Sequence, residues 1–319
     1  MLPRVERRSG HRALGFAVSV VTLLLATVLA ELVLRWRAIG PLPAVETGLH
    51  YRHDEVLGWH PVAGDRRTIL GARRFSVEHN RDGFRDRDHG AKTRPRILFL
   101  GDSFVWGFDV EQHERFTDLV QDALPGWDVI NAGVAGYGTD QEYLLLTQIA
   151  GTYQPDLVFV MFCTDNDRNE NSSNKEYGFY KPYFVRDGGG LVLKGTPVRR
   201  AETYWFNEQP WLFSFRLTRA AAKLLHPYPG VQVPDPTLDE LRLIARFLEE
   251  RQVALLAGMT DNDPGVEGYF ASAHIPLLTF RDIERFPTFG SHWTPAGHRE
   301  VSRRVLTLLQ PQLARQSAP

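Results

Sequence analysis

The alternation of apolar, β-type runs with helical segments from Arg96 onward constrains the fold of this chain more than any other feature. The run at 157–162 is apolar at every position, which is typical of a strand that is covered on both faces. Because strands that run in the same direction need a crossover, usually a helix, the pattern indicates a parallel sheet between two layers of helices. We therefore predict an α/β fold with three layers, α/β/α, around a flavodoxin-like, five-stranded parallel sheet. The predicted strands are residues 96–100, 127–131, 157–162, 253–259 and 275–280.

The segments between these strands have the spacing of amphipathic helices. The helix before the fourth strand, for example, places Leu241, Ile244 and Leu248 on one face. The last helix begins with Thr294 as N-cap and Pro295 at its first position, which suits both residues. In such a sheet, ligands bind beyond the carboxyl ends of the strands. The sequence therefore predicts a functional site in the loops that follow the five strands.

The N-terminus carries an uncharged, apolar stretch at 13–30, which 32–34 continue after Glu31. A helix of this length can cross a bilayer, which needs about 20 apolar residues. Four arginines precede the stretch, and such a basic excess marks the cytoplasmic side. We therefore expect a single-pass membrane anchor, with the N-terminus in the cytoplasm and the chain after residue 38 on the other side of the membrane.

Two other interpretations of this stretch exist. Val28-Leu29-Ala30 resembles the cleavage site of a signal peptide, although the apolar run exceeds the usual length of about 7–15 residues. A buried core helix is the third interpretation, and the flanking arginines argue against it.

The chain divides into three predicted parts. Residues 1–37 hold the cytoplasmic N-terminus and the membrane anchor, 38–94 a stalk and an N-terminal arm, and 95–312 the α/β domain. A long segment, about 168–236, separates the third strand from the next helix of the pattern. We interpret it as an insertion into the domain.

Composition excludes several kinds of partner and site. The chain has 37 basic and 38 acidic residues and a formal net charge of −1, so no nucleic-acid partner is expected. Cys163 is the one cysteine, which excludes an internal disulfide and a multi-cysteine metal site. The eleven histidines show no metal-binding spacing, so neither a metal nor a cofactor is expected. Nothing in the sequence indicates an oligomeric state.

Four motifs follow predicted strands or open a helix. Ser103 stands directly beyond the first strand, where its hydroxyl either projects from a tight turn or caps the next helix. Gly136 and Asn166 follow the second and third strands, and turn or cap roles would explain both equally well. A serine needs an adjacent base to act as a nucleophile, and His292 precedes the last helix. The motifs are Gly101-Asp102-Ser103-Phe104, Asn131-Ala132-Gly133-Val134-Ala135-Gly136, Thr164-Asp165-Asn166-Asp167 and His292-Trp293-Thr294-Pro295.

Together, these motifs resemble the four blocks of the SGNH/GDSL hydrolase family over about residues 94–310. The resemblance implies that Ser103 is the nucleophile and His292 its base. It also implies an oxyanion hole that consists of the N–H groups of Ser103 and Gly136 and the side-chain amide of Asn166.

Two positions depart from the family's pattern. Thr164 stands where the third block has glycine, so the turn that carries the oxyanion asparagine can differ. Phe289 stands where the last block has the aspartate of the triad. Asp282 and Glu284, in the loop after the fifth strand, are the candidates for the missing acid. The alternatives are a Ser-His dyad supported by a backbone carbonyl and a weakened enzyme.

Segments 57–61 and 80–85 further resemble a bacterial subgroup with one N-terminal membrane helix and an extracytoplasmic domain. This resemblance implies a single-pass anchor in the inner, cytoplasmic membrane and a catalytic domain in the periplasm. The expected function is that of a serine esterase acting on acyl groups, chiefly O-acetyl groups, of extracytoplasmic carbohydrate. Polysaccharide O-acetyltransferase activity is an alternative, because water or a sugar hydroxyl can resolve the same acyl-enzyme. A lipid-ester or thioester hydrolase and a non-catalytic envelope scaffold are further alternatives. Aromatic residues of the insertion, such as Tyr177 and Phe179, can stack on a sugar or simply pack on the domain.

Overall fold

The computed structural model describes residues 7–37, 49–287 and 290–316. The strands are β1 (Tyr51–Asp54), β2 (Gly58–Pro61), β3 (Arg66–Leu70), β4 (Arg74–Glu78), β5 (Arg96–Leu100), β6 (Asp128–Asn131), β7 (Leu157–Phe162), β8 (Lys175–Glu176), β9 (Phe179–Tyr180), β10 (Tyr183–Asp187), β11 (Gly190–Lys194), β12 (Ala254–Met259) and β13 (Leu277–Thr279). The helices are α1 (Arg7–Trp36), α2 (Ser103–Trp106), α3 (Phe116–Ala123), α4 (Thr139–Tyr153), α5 (Asp167–Asn171), α6 (Glu202–Glu208), α7 (Pro210–Phe213), α8 (Arg216–Leu225), α9 (Thr237–Glu249), α10 (Pro264–Ser272) and α11 (Pro295–Gln316).

Five parallel strands form the central sheet in the order β6-β5-β7-β12-β13. This order, 2-1-3-4-5 along the sheet, confirms the predicted flavodoxin-like arrangement. The predicted bounds of β5 and β7 agree with the structure, whereas β13 is shorter than the predicted 275–280. Its pairing with β12 covers the three residues Leu277–Thr279.

Both faces of the sheet are covered, which explains the uninterrupted apolar runs in the sequence. One face packs against α3 and α11, through Phe116, Val120, Val301 and Val305, all buried. The other half of the side chains points to the opposite face, because successive side chains alternate along a strand. There α4 and α9 contact each other and the strands β5 and β12.

The segment before β5 forms two hairpins, β1–β2 and β3–β4, that belong to the same compact unit as the sheet. Apolar side chains of the second hairpin pack on Trp106 at the end of α2. Arg85 is buried below them and donates hydrogen bonds to the carbonyls of Ser76 and Val110, each at 2.7 Å. The hairpins therefore hold the loop that follows α2.

A second compact unit contains α1 and residues Glu202–Pro229. Within Arg12–Trp36 of α1, a window of 18 residues has a mean hydropathy of 2.4, and none of that window is buried in the protein. One apolar N-terminal helix of this length suits a membrane anchor or a signal sequence. In the same unit, α6, α7 and α8 pack together through Trp205, Leu212, Phe213 and Ala222.

Candidate active site

Ser103 is the first residue of α2, directly beyond the carboxyl end of β5. Asp102 caps this short helix, since its carboxylate accepts a hydrogen bond of 2.9 Å from the N–H of Phe104. Gly101 makes the turn sterically possible, because a Cβ there would lie 2.4 Å from Val105 Cγ2. The glycine and the cap together aim the Ser103 hydroxyl into a cavity at the edge of the sheet.

His292 reaches Ser103 from the loop before α11. Its Nε2 lies 2.9 Å from Ser103 Oγ, although 189 residues separate the two. The imidazole packs against the ring of Phe108, with the ring centroids 4.8 Å apart and the ring planes tilted by 31°, which restricts its orientation. The structure thus brings together the two residues that were predicted as nucleophile and base.

Asp109 lies on the other side of the imidazole, with Oδ2 3.1 Å from His292 Nδ1. The carboxylate is buried, and its Oδ1 accepts a hydrogen bond of 2.6 Å from the N–H of Ala72. The residue adopts a left-handed conformation with φ of 69°, which a short polar side chain tolerates better than most. Asp109 therefore holds the position next to the imidazole that a triad aspartate occupies.

The predicted oxyanion groups line the same cavity of about 660 Å³ as Ser103 and His292. Gly136 has a φ of +83°, a backbone conformation that favours glycine. A Cβ at this position would also lie 2.7 Å from the Tyr177 ring, so both the backbone conformation and the available space disfavour a side chain. The Asn166 amide donates to Glu170 Oε1 at 2.8 Å, and it also lies 3.5 Å from Asp102 Oδ2.

A family model described as the GDSL-like lipase/acylhydrolase family matches residues 99–300, which is more than half of the chain. The chain belongs to this family. No curated protein sequence matches it.

Several solved structures resemble this GDSL-family chain. TesA is 13% identical over 68% of this chain and 98% of its own, with a TM-score of 0.42. The psychrotrophic esterase EstA from Pseudoalteromonas sp. is 12% identical over 69% and 98%, with a TM-score of 0.41. The acetyl xylan esterase AlAXEase is 11% identical over 67% and 99%, with a TM-score of 0.39.

The structure places a different carboxylate beside His292 of this GDSL-family chain than the two acids that the sequence suggested. Asp282 is 65% exposed and forms an ion pair with Arg304 at 2.7 and 2.8 Å. The contact of Glu284 with this part of the chain is made by its backbone carbonyl, which accepts a hydrogen bond of 3.1 Å from the N–H of Thr294. Phe289 lies outside the described residues. The carboxylate beside His292 is that of Asp109, which lies six residues after Ser103 and not three residues before His292.

The other departure, Thr164, is accommodated by the neighbouring strand end. The N–H of Thr164 donates to Thr260 Oγ1 at 3.1 Å, and the two hydroxyl groups lie 3.1 Å apart. This contact ties the loop after β7 to the loop after β12. The turn that carries Asn166 therefore does not need the family's glycine.

Exchange of Asn166 for alanine tests the side-chain oxyanion donor. We expect kcat to fall by about 10²–10³, since that is the usual effect of removing one such donor. The Asn166 side chain makes no capping bond to α5 but donates to Glu170 of that helix, so urea unfolding of the variant is measured beside its kcat. Asn169→Ala, an exposed change on the same helix, is the matched control and should keep wild-type turnover. Equal kcat values in the two variants would remove Asn166 from the oxyanion hole.

A cluster of buried carboxyl groups lies behind the oxyanion residues. Burial raises the pKa of Asp102, and it raises the pKa of Glu142, Asp167 and Glu170 well above the ordinary carboxyl range. The neighbouring carboxylates add to this rise, because like charges disfavour ionisation. Protonated acids do not oppose negative charge on a substrate oxygen, so the cluster is compatible with an adjacent oxyanion hole.

Glu142→Gln tests whether this cluster carries protons. A folded-state pKa above the unfolded one stabilises the fold at low pH, and that contribution is lost as the pH rises through the folded pKa. Glutamine cannot ionise, so the variant should gain stability over the wild type at pH 8 and little at pH 5. The gain is about 1.4 kcal/mol for each unit of pKa difference. Urea unfolding at both pH values measures it, with the exposed Glu249→Gln as control.

Among the described residues, Asp102, Cys163 and Asp167 bring potential metal-ligand atoms within 4.8 Å of one another. One oxygen of each carboxylate already has a partner, since Phe104 N–H donates to Asp102 Oδ1 at 2.9 Å and Cys163 N–H donates to Asp167 Oδ2 at 2.8 Å. Burial also raises the pKa of the Cys163 thiol well above its usual value, which disfavours the thiolate that a metal needs. The chemistry of this group therefore suits the support of the serine turn better than a metal.

Proposed function

We propose that this chain is a serine ester hydrolase in which Ser103, His292 and Asp109 act as a triad. The observation that carries the proposal is the unbroken chain of contacts from Ser103 Oγ to His292 Nε2, 2.9 Å, and from His292 Nδ1 to Asp109 Oδ2, 3.1 Å. Spatial order and distance define a triad, independent of the order of its members in the sequence.

In this mechanism, Ser103 Oγ attacks the ester carbonyl carbon while His292 Nε2 takes the hydroxyl proton. The tetrahedral intermediate collapses, its bond to the alcohol oxygen breaks, and His292 returns the proton to the departing alcohol. Water then attacks the acyl-serine in the same way, with His292 as base, and releases the acid and the free hydroxyl. Asp109 keeps the proton of the neutral imidazole on Nδ1 and stabilises the imidazolium cation.

The oxyanion of both tetrahedral intermediates would accept hydrogen bonds from the N–H groups of Ser103 and Gly136 and from the Asn166 amide. Each of these residues lines the cavity beside the nucleophile. The amide of Asn166 is held on one side by Glu170, which limits its rotation. Donors that are fixed before the reaction stabilise the developing charge at no reorganisation cost.

The cavity favours an apolar acyl group. Leu49, Leu70, Phe104, Phe108 and Phe179 line it together with Ser103, and most of the surface that the cavity exposes is apolar. Each methylene group of an acyl chain that is buried against an apolar wall makes the free energy of binding more favourable by about 0.8 kcal/mol. An ester with a medium-length acyl chain is therefore the substrate class that the cavity supports best.

O-acetyl esters of extracytoplasmic carbohydrate are the second candidate. Tyr177 and Phe179 line the cavity, and aromatic faces can stack on sugar rings. This candidate also depends on where the catalytic domain lies. We infer that α1 is a single-pass inner-membrane anchor and that the catalytic domain lies in the periplasm, where it would meet extracytoplasmic carbohydrate. A sugar hydroxyl in place of water would turn the same acyl-enzyme into an acetyltransferase.

A series of p-nitrophenyl esters from acetate to decanoate, assayed on the detergent-solubilised full chain, tests these proposals. We expect kcat/KM to rise from acetate to a medium-length chain and then to fall when the cavity is full. Acetylated xylan is assayed in parallel by acetate release. Turnover of xylan acetate together with a flat chain-length profile would favour carbohydrate esters. A well-folded chain that turns over no ester would contradict the proposed function and favour the envelope scaffold.

A further inference from the structure

The outer end of α1 carries a carboxylate that needs a partner. Glu31 is the only acidic residue between Arg12 and Trp36, and it directly follows the uncharged, apolar stretch 13–30. A charged group at such a place is costly in a bilayer unless other groups satisfy it. In the structure, the Glu31 side chain is only 13% exposed, so its partners come from the protein.

Those partners belong to α8 and to α1 itself. Glu31 Oε1 accepts a hydrogen bond of 3.0 Å from the N–H of Arg216, and Oε2 accepts one of 2.9 Å from the N–H of Leu217. Arg35 Nε donates to Glu31 at 2.7 Å and Arg35 Nη2 donates to the carbonyl of Ser214 at 3.1 Å. A carboxylate at a helix N-terminus is favoured, because it satisfies free N–H groups and the helix dipole. We call this set of bonds the Glu31 latch.

The latch holds a segment with an unusual surface. Leu217, Ala220, Ala221 and Leu224 of α8 have the spacing of one helix face, and Leu225 adjoins it. Leu224 is 80% exposed and Leu225 is 75% exposed. Trp211 of α7 and Phe215, before α8, add further exposed apolar surface.

The other side of α8 is already occupied. Ala222 packs with Phe213, Trp205 and Leu212 of α6 and α7. Arg219 is buried and donates to the carbonyl of Phe213. Because this side holds the small helical cluster together, the exposed leucines are not its packing surface. They remain available to a partner of apolar character.

We propose that Glu202–Pro229 is a membrane-interface element, which the Glu31 latch seats on the bilayer surface where α1 leaves it. The inference rests on the proposed membrane anchoring of α1. Continuity identifies the partner, since the latch joins α8 to residues 31–35, at the end of an apolar span whose surface is uncovered along its length. Amphipathic helices insert their apolar face to a depth of about 5–10 Å, and Trp and Phe favour that zone.

Fluorescence of a probe on α8 tests the proposal in the full chain. Leu224→Cys is labelled with an environment-sensitive nitrobenzoxadiazole dye and reconstituted in vesicles of phosphatidylcholine and phosphatidylglycerol. The native Cys163 is buried, and labelled wild type measures any background from it. Glu249→Cys, on the exposed face of α9, is the control. We expect a blue-shifted emission at 224 that shallow spin-labelled lipids quench, and neither effect at 249.

Glu31→Leu in the Leu224→Cys background tests the latch. Leucine retains an apolar span, so the anchor persists, and we expect loss of at least half of the lipid quenching at 224. Ser19→Leu, three turns away on α1, is the matched control and should leave the quenching unchanged. Equal quenching in both variants would overturn the role of the latch.

Carbonate extraction separates failure of this inference from failure of the anchor. If the chain resists extraction, α1 is anchored in the membrane. If the probe at 224 is then quenched by aqueous iodide and not by the spin-labelled lipids, the proposed interface element is wrong and the membrane anchor is not affected. A chain that carbonate removes overturns both. A blue shift that lipid does not quench and that dilution of the protein abolishes identifies a second copy of the chain as the partner, and overturns the proposal. Ester hydrolysis, measured in each variant, reports separately on the active site.

Discussion

Ser103→Ala should lower kcat on p-nitrophenyl esters by about 10⁶, the size of effect seen when the nucleophile of a triad is removed. The expectation follows from the geometry, since Ser103 Oγ is the group within hydrogen-bond distance of His292 Nε2 at the cavity wall. Residual turnover would come from the oxyanion donors and from binding alone. KM should change little, because the serine hydroxyl contributes little to ground-state binding.

Labelling with a fluorophosphonate probe checks the same residue without a substrate. The wild-type chain should react covalently at Ser103, and the alanine variant should not. Ser272→Ala, an exposed change on α10, is the control and should keep both labelling and turnover. Undiminished labelling in Ser103→Ala would place the nucleophile elsewhere and end the proposed mechanism.

Asp109→Asn should lower kcat by about 10⁴, as expected when the acid of a triad is replaced by its amide. The Oδ1 of Asp109 accepts a hydrogen bond from Ala72, so the asparagine should keep its oxygen there and turn its NH₂ group towards His292 Nδ1. An imidazole that accepts at Nδ1 carries its proton on Nε2. It then cannot take the proton of Ser103, although every heavy atom stays in place.

Asp282→Asn and Glu284→Gln are the controls for the acid, and each should keep most of the wild-type activity. Asp282 pairs with Arg304 on the surface, where an ion pair contributes little to stability. Matched unfolding curves for Asp109→Asn and the wild type would show that the loss of turnover is chemical. Turnover of Asp109→Asn within tenfold of the wild type would favour a Ser-His dyad. A loss in Asp282→Asn or Glu284→Gln as large as that in His292→Ala would identify that residue as the acid instead.

The α/β sheet could be predicted from the sequence alone, because periodicity reports how each segment is buried. Five apolar runs predicted five strands, and the observed bounds agree within two residues at each end. The motifs after β5, β6 and β7 and before α11 predicted which loops meet, since the carboxyl ends of parallel strands share one edge. Ser103, Gly136, Asn166 and His292 all line the resulting cavity.

The tertiary structure alone decided which acid lies next to His292. The contact joins His292 Nδ1 and Asp109 Oδ2, which belong to residues 183 positions apart. A local sequence pattern does not encode the distance between such atoms. The sequence held one weak indication of Asp109 as the acid. Asp109 follows the turn residue Gly107 in the loop after α2, six residues from Ser103. The contact between Glu31 and α8 joins residues 185 and 186 positions apart, and it is likewise invisible to periodicity. Periodicity records which face of a segment is buried, whereas the pairing of polar groups depends on where folding brings separate segments together.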